Sequence, residues 1–261
     1  MKTYFKILLA SGFFFACEND KNQEQVVNDS SSETQIDQKA EQKNCQLTTF
    51  SFQLGDKERK MNFTYENDLI NSIEISEMGS EDTQKLSYVV NADGQLQEFV
   101  FDNNKASYQY NESGLLTEIV GDGNLNSRVF EYDDQNRMVK QITLFGGKPY
   151  TTHQYEYKED VPVKVDVMMK DKLYESYELE YDNKHNPFLN KGIFVNSTEM
   201  IYGYAVGNYN HNVVRVITTN NKGESDTKEV TYEYNENGYP IKATRKQGDK
   251  EMSTTLDFDC Q

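Results

Sequence analysis

The sequence repeats one short phrase: an aromatic residue, any residue, Tyr, then Asn or Asp and a turn. The clearest copies are YQYNESGLL, FEYDDQNRMV, YEYKEDVPV, ELEYDNKHNPF and YEYNENGYPI. From Tyr110 to Tyr234 the spacing between copies is 22 to 28 residues, which fits one β-hairpin per copy and is too irregular for a heptad. The repeat therefore predicts a series of β-hairpins. The second tyrosine of each copy falls at Tyr110, Tyr132, Tyr157, Tyr181 and Tyr234, with weaker copies at Tyr65 and Tyr209.

The residues of each copy suit a strand, a turn and a second strand. Aromatic residues at i and i+2 share one face of a strand. The Asn or Asp that follows can bond its own backbone, and Gly114 or Gly238 provides the positive φ of a type I turn followed by a bulge. After the turn at Gly114, we expect a second strand with Leu115, Thr117 and Ile119 at alternate positions. After the turn at Gly238, we expect a second strand with Tyr239, Ile241 and Ala243 at alternate positions.

The number of strand-like segments limits the fold class. Residues 45–261 contain roughly sixteen of them, joined by short turns, and such a sheet must curl, close or split. We predict one all-β domain over 45–261, an up-and-down antiparallel meander curled into a wide barrel or half-barrel, with a β-sandwich as the alternative. A membrane-spanning barrel is disfavoured because the strands carry Lys and Glu without a continuous apolar band.

The first residues predict export and anchoring. Met1-Lys2 is followed by a short apolar run (7–15), typical of a secretion signal. A small residue and then Cys17 resemble the bacterial lipobox, which implies a signal peptide over 1–16 and lipidation of Cys17. The alternative is an ordinary signal peptide with an incidental cysteine. Residues 17–44 are almost wholly polar and predict a flexible tether.

The two remaining cysteines, Cys45 and Cys260, lie in the first and last strand-like segments. In an oxidising envelope we expect them to form a disulfide. A reactive thiol site is the rival interpretation, but it lacks a nearby His or a C-x-x-C spacing.

Charge and composition exclude some partners. The net charge is −16, which opposes binding to nucleic acid and to anionic membrane surfaces. Hydrophobic residues make up 36% of the chain, yet there are 18 Tyr and 14 Phe, as expected of a thin sheet with one aromatic-rich face. Membrane contact is therefore expected through the lipid anchor alone.

Three phrases, YEYNENGYPIKAT, YDNKHNPF and NYNHNVVRVI, together resemble a family of uncharacterised envelope lipoproteins with porin-like, single-sheet β folds. The turn phrase is also loosely similar to the YD repeats of secreted shell-forming proteins. The first resemblance implies an outer-membrane lipoprotein of the cell envelope, on the periplasmic face or the cell surface. Neither resemblance implies catalytic residues.

No motif for catalysis, metal or cofactor binding is present. His153, His185 and His211 lack the spacing of a zinc site, and we interpret each as a turn or strand-surface residue. The segment NADGQLQE (91–98) reads as a hairpin turn and not as a calcium loop. We predict a non-enzymatic protein without cofactor that binds or scaffolds, with glycan or peptide ligands. The alternatives are a carrier of an apolar ligand in a barrel lumen and a hydrolase using two carboxylates.

Overall fold

Sixteen antiparallel strands form a closed barrel in the computed structural model of the chain. The structure describes residues 45–54, 57–66, 68–101, 103–122, 126–187, 211–248 and 250–260. Each strand pairs with the next along the chain, and the last pairs with the first. The strands are β1 (Cys45–Leu54), β2 (Lys57–Glu66), β3 (Leu69–Glu77), β4 (Thr83–Val90), β5 (Leu96–Phe101), β6 (Asn104–Tyr110), β7 (Leu116–Gly121), β8 (Ser127–Tyr132), β9 (Met138–Phe145), β10 (Lys148–Lys158), β11 (Val161–Met169), β12 (Lys172–Tyr181), β13 (Val213–Asn220), β14 (Ser225–Tyr234), β15 (Pro240–Gln247) and β16 (Lys250–Cys260).

The repeated turns have the predicted chemistry. In three copies of the phrase, and in the turn that begins at Asn91, an Asn or Asp side chain accepts hydrogen bonds from the backbone N–H groups two and four residues later, at 2.8 to 3.0 Å. The fourth residue of each turn, two positions before the second strand, has a positive φ, for example 78° at Gly114 and 61° at Asn136. This is the type I turn with a following bulge. The four turn-opening residues are Asn91, Asn111, Asp133 and Asn235.

A bulge in the second strand of each repeat hairpin changes which residues are buried. Tyr110 pairs with Leu116 while Gln109 pairs with Glu118, so one residue of β7 is extra. Such a bulge shifts the alternation of the strand by one position. The expected series of Leu115, Thr117 and Ile119 is therefore wrong at its start, because the buried residues are Leu116 and Ile119. The same shift buries Pro240 and Ala243 in β15 and leaves Ile241 exposed.

Five tyrosines join successive hairpins through their hydroxyl groups. The hydroxyl of Tyr132 donates to the carbonyl oxygen of Leu116 at 2.8 Å, and Tyr110 donates to Leu96 at 2.9 Å. Leu96 and Leu116 are each the pairing partner at a bulge, where the regular ladder is interrupted. We call these residues the capping tyrosines: Tyr65, Tyr110, Tyr132, Tyr157 and Tyr232.

Strands β1 and β16 close the barrel. Cys45 lies opposite Cys260, and the disulfide expected from the sequence joins them, with Cα atoms 4.1 Å apart. The closed barrel is one of the two curled forms expected, and the β-sandwich alternative is not what forms. The predicted signal peptide (1–16), the tether (17–44) with Cys17, and the weak repeat copy at Tyr209 lie outside the described residues.

The two faces of the wall differ sharply in polarity. Glu131 lies directly opposite Lys140 with 3.0 Å between their charged atoms, and Glu156 lies opposite Lys164 at 2.9 Å. Their chain neighbours Phe130 and Tyr155 point the other way and are only 4% and 5% exposed. In a barrel wall one strand thick, side chains can be this buried only in the interior. The apolar face therefore lines the inside and the charged face meets water. Further opposed pairs are Glu74–Lys85, Glu180–Arg215, Glu233–Lys242 and Glu251–Lys246.

Candidate functional site

The interior changes from apolar to polar along the barrel. We call the end with turns 91–95, 111–115, 133–137 and 235–239 the tyrosine end, and the opposite end, with turns 145–148, 169–172 and 220–225, the polar end. At the tyrosine end the inner face is apolar and almost fully buried, and it includes Leu47, Ile70, Leu96, Leu116 and Val213.

Charged side chains share the inner face toward the polar end. Residues directly opposite each other on paired strands project from the same face. Arg128 lies opposite Ile119, Glu175 opposite Val167, Lys228 opposite Val216 and Arg245 opposite Val230. Because all four of these partners are buried, the charged residues point inward. They are also less buried than the apolar residues of the tyrosine end.

An ion pair between β2 and β3 belongs to this polar end. The Arg59 guanidinium donates to Glu77 at 3.1 and 3.2 Å, and both side chains are less than one-fifth exposed. Lys57 also bonds this carboxylate. The hydrogen bonds from Lys57 and Arg59 and the positive charges of both hold the pKa of Glu77 below its usual value, against the opposing effect of desolvation. Glu77 is therefore a fixed anion near neutral pH.

Two deeply buried polar side chains face each other in the interior, and each has one buried polar atom that finds no hydrogen-bond partner among the described residues. Gln141 of β9 lies directly opposite His153 of β10, and they are 1% and 7% exposed. In the described part of the chain, neither Gln141 Oε1 nor His153 Nδ1 has a hydrogen-bond partner. An unsatisfied buried polar atom costs roughly 1–3 kcal/mol, so this pair is either costly or occupied by a polar group.

Arg128 sets the electrostatics around this pair. Burial, and secondarily the positive charge of Arg128, lowers the pKa of His153 to about 4, so its ring is neutral at physiological pH. Burial raises the pKa of Tyr108, and the positive charge of Arg128 opposes that rise, so the guanidinium lies near both side chains. A cationic group would be repelled here. The pair therefore favours a neutral group that can donate a hydrogen bond to Gln141 Oε1.

The three histidines occupy different environments. His153 is an interior residue, so its interpretation as a turn or strand-surface residue is wrong. Strand alternation carried the missed signal, because His153, Tyr155 and Tyr157 are two residues apart and must share a face. His185 lies beside the ring of Tyr239, with centroids 5.2 Å apart, and Nδ1 of His211 is 3.4 Å from a backbone carbonyl oxygen.

The described residues form neither a metal site nor a membrane-spanning helix. In the residues described, no group of three His, Cys, Asp or Glu side chains is arranged to hold a metal ion. No helix of the described ranges is long and apolar enough to cross a membrane.

The capping tyrosines are half-buried and serve the structure of the barrel. Their hydroxyls bond backbone carbonyls at the tyrosine end instead of lining a groove. A ring fixed by packing and by its own hydroxyl bond is not available to stack on a ligand. A binding site must therefore use other residues, and the polar end of the interior offers them.

Comparisons with known proteins identify the fold only. No protein-family model matches the chain, and no curated protein matches it. A porin-like protein from Bacteroides uniformis has a similar crystal structure, with a TM-score of 0.60 and 12% identity over 81% of this chain and 96% of that one. A porin-like protein from Bacteroides vulgatus aligns over 83% of this chain and 99% of that one, at 12% identity and a TM-score of 0.37.

Proposed function

We propose that this chain is a non-catalytic binding protein of the bacterial envelope, held to the membrane by lipid on Cys17, whose ligand enters the polar end of the barrel interior. The observation that carries the proposal is the buried, unpartnered pair formed by Gln141 and His153. The envelope location rests on the lipobox-like start, the disulfide and the fold shared with a porin-like protein.

The ligand class follows from the chemistry of the pair. Gln141 Oε1 needs a donor, while the neutral ring of His153 can either donate or accept at Nδ1. A hydroxyl group serves both atoms at once and carries no charge to oppose Arg128. A sugar provides many hydroxyls, so a glycan is the ligand we favour, and a peptide amide is the second candidate.

The alternatives fit the interior less well. In a membrane-spanning porin the outer face is apolar and the lumen polar, whereas here opposed Glu–Lys pairs cover the outside. Charged side chains on the inner face also argue against a carrier of an apolar ligand. A carboxylate-based hydrolase needs a general acid with a raised pKa, but the pKa of Glu77 is lowered.

Glycan and peptide arrays with matched variants test the proposal. We expect Gln141→Met to weaken ligand binding at least tenfold while leaving the fold as stable as before or more so, because it removes an unsatisfied buried group. Gln154→Met is the control, since Gln154 adjoins His153 but lies on the exposed outer face. Arrays that retain no ligand, or equal binding by both variants, would contradict the proposal.

A further inference from the structure

An exposed apolar and basic patch lies on two neighbouring hairpin tips at the polar end. Phe145 and Tyr150 flank the β9–β10 turn, and Leu173 follows the β11–β12 turn. They are 70%, 39% and 44% exposed, and the rings of Phe145 and Tyr150 lie 6.2 Å apart. We call these three side chains, with the lysines between them, the tip patch. Its lysines are Lys148, Lys170 and Lys172, all exposed.

The two tips form one surface. The backbone N–H of Lys170 donates to the carbonyl oxygen of Tyr150 at 3.4 Å, and Thr151 pairs with Met169 immediately below. The patch is therefore continuous across β9 to β12.

The charge of the tips is opposite to that of the chain. Segments 145–150 and 170–173 contain three lysines and one acid, Asp171, for a net charge of +2, against −16 for the whole chain. Exposed apolar rings beside lysines match the membrane interface, where apolar side chains enter the acyl boundary and cations meet anionic headgroups. From this arrangement we infer that the tip patch docks onto an anionic phospholipid bilayer.

Electrostatic screening reconciles this docking with the acidic body. At physiological ionic strength charges separated by more than about 8 Å interact weakly. The lysines at the tips would therefore act on the headgroups while the more distant wall does not, and many wall acids are already paired with lysines. Each lysine near such a surface is worth roughly a fivefold gain in binding.

Single-tryptophan variants test the docking in the full chain. The natural sequence contains no Trp, so Phe145→Trp reports from the tip patch and Ile241→Trp from an exposed position, 40% accessible, at the tyrosine end. Each protein is mixed with phosphatidylethanolamine–phosphatidylglycerol vesicles, with and without brominated acyl chains. We expect a blue-shifted emission that the brominated lipid quenches for Phe145→Trp, and no change for Ile241→Trp. A lipid anchor shared by both variants cannot produce that difference.

A charge variant separates docking from folding. Lys170 has a φ of 50°, in the left-handed region that glycine adopts more readily. Lys170→Gly in the Phe145→Trp background should therefore raise the thermal midpoint while weakening lipid binding about fivefold. Absence of quenching at the tip would overturn the inference, as would equal quenching at both ends. A blue shift that grows with protein concentration without vesicles would also overturn it, because it would assign the patch to a second copy.

Discussion

Removing one capping hydroxyl should destabilise the barrel measurably. Tyr132→Phe deletes the donor that lies 2.8 Å from the carbonyl oxygen of Leu116, a residue only 2% exposed, and leaves the ring in place. The loss of a buried partner costs about 1–2 kcal/mol. For a domain of this size that corresponds to a fall in melting temperature of roughly 3 to 6 °C.

The assay is thermal and urea unfolding of the two proteins side by side. The control is Tyr150→Phe, because Tyr150 lies at the polar end, is 39% exposed, and its hydroxyl has no hydrogen bond to any of the described residues. We expect an unchanged urea m-value for both variants and a lower midpoint for Tyr132→Phe alone. If the two variants unfolded at the same midpoint, the idea that the repeat tyrosines join successive hairpins would be refuted.

Three other perturbations probe the closure, the capping and the turns. Replacing Cys45 and Cys260 together by serine should lower stability by up to about 5 kcal/mol, measured by urea unfolding, because the bond spans 215 residues. Burial raises the pKa of Tyr110 to about 12 from an ordinary value near 10. The contribution of Tyr110 to the free energy of unfolding is therefore complete below pH 10 and is lost as the pH rises toward 12. Circular dichroism should show stability falling across that window, and a flat profile would contradict it. Gly238→Ala should cost about 1–2 kcal/mol because φ is 79°, and Gly238→Asn should cost less, since Asn136 occupies the same place in another copy. Equal melting temperatures for the two glycine variants would contradict this account of the turn.

The repeat predicted the hairpins of most copies, but not the connection after Tyr181, which pairs with Val213 instead of with a strand directly after the turn. Three copies carry both a turn-opening Asn or Asp and the residue with positive φ, so hairpin formation there is local and can be predicted from the sequence. The sequence contains roughly sixteen strand-like segments, and the described residues form sixteen strands.

Whether the barrel closes, and which face of a strand points inward after a turn, depends on pairing between strands and cannot be read from one segment alone. Pairing of β1 with β16 joins residues 215 positions apart, so the sequence left barrel, half-barrel and sandwich open. Leu116 is buried where strict alternation predicted Leu115. The bulge causes this difference, because the pairing of the two strands determines which residues point inward after the turn.

The candidate site was missed for a related reason. Gln141 and His153 lie twelve positions apart and meet only because β9 and β10 pair in that register. The sequence shows that His153 shares a strand face with Tyr155 and Tyr157. It does not show that His153 lies opposite Gln141.

A barrel with its charged face outward should be soluble without the proposed lipid anchor. Size-exclusion chromatography of the Cys17→Ser chain, produced without the predicted signal peptide (1–16), measures this directly in buffer without detergent. We predict a monodisperse peak with the circular dichroism of a folded β protein. Aggregation that only detergent micelles reverse would contradict a water-facing outer wall, because it would mean that the outer face of the barrel is apolar enough to require lipid or detergent.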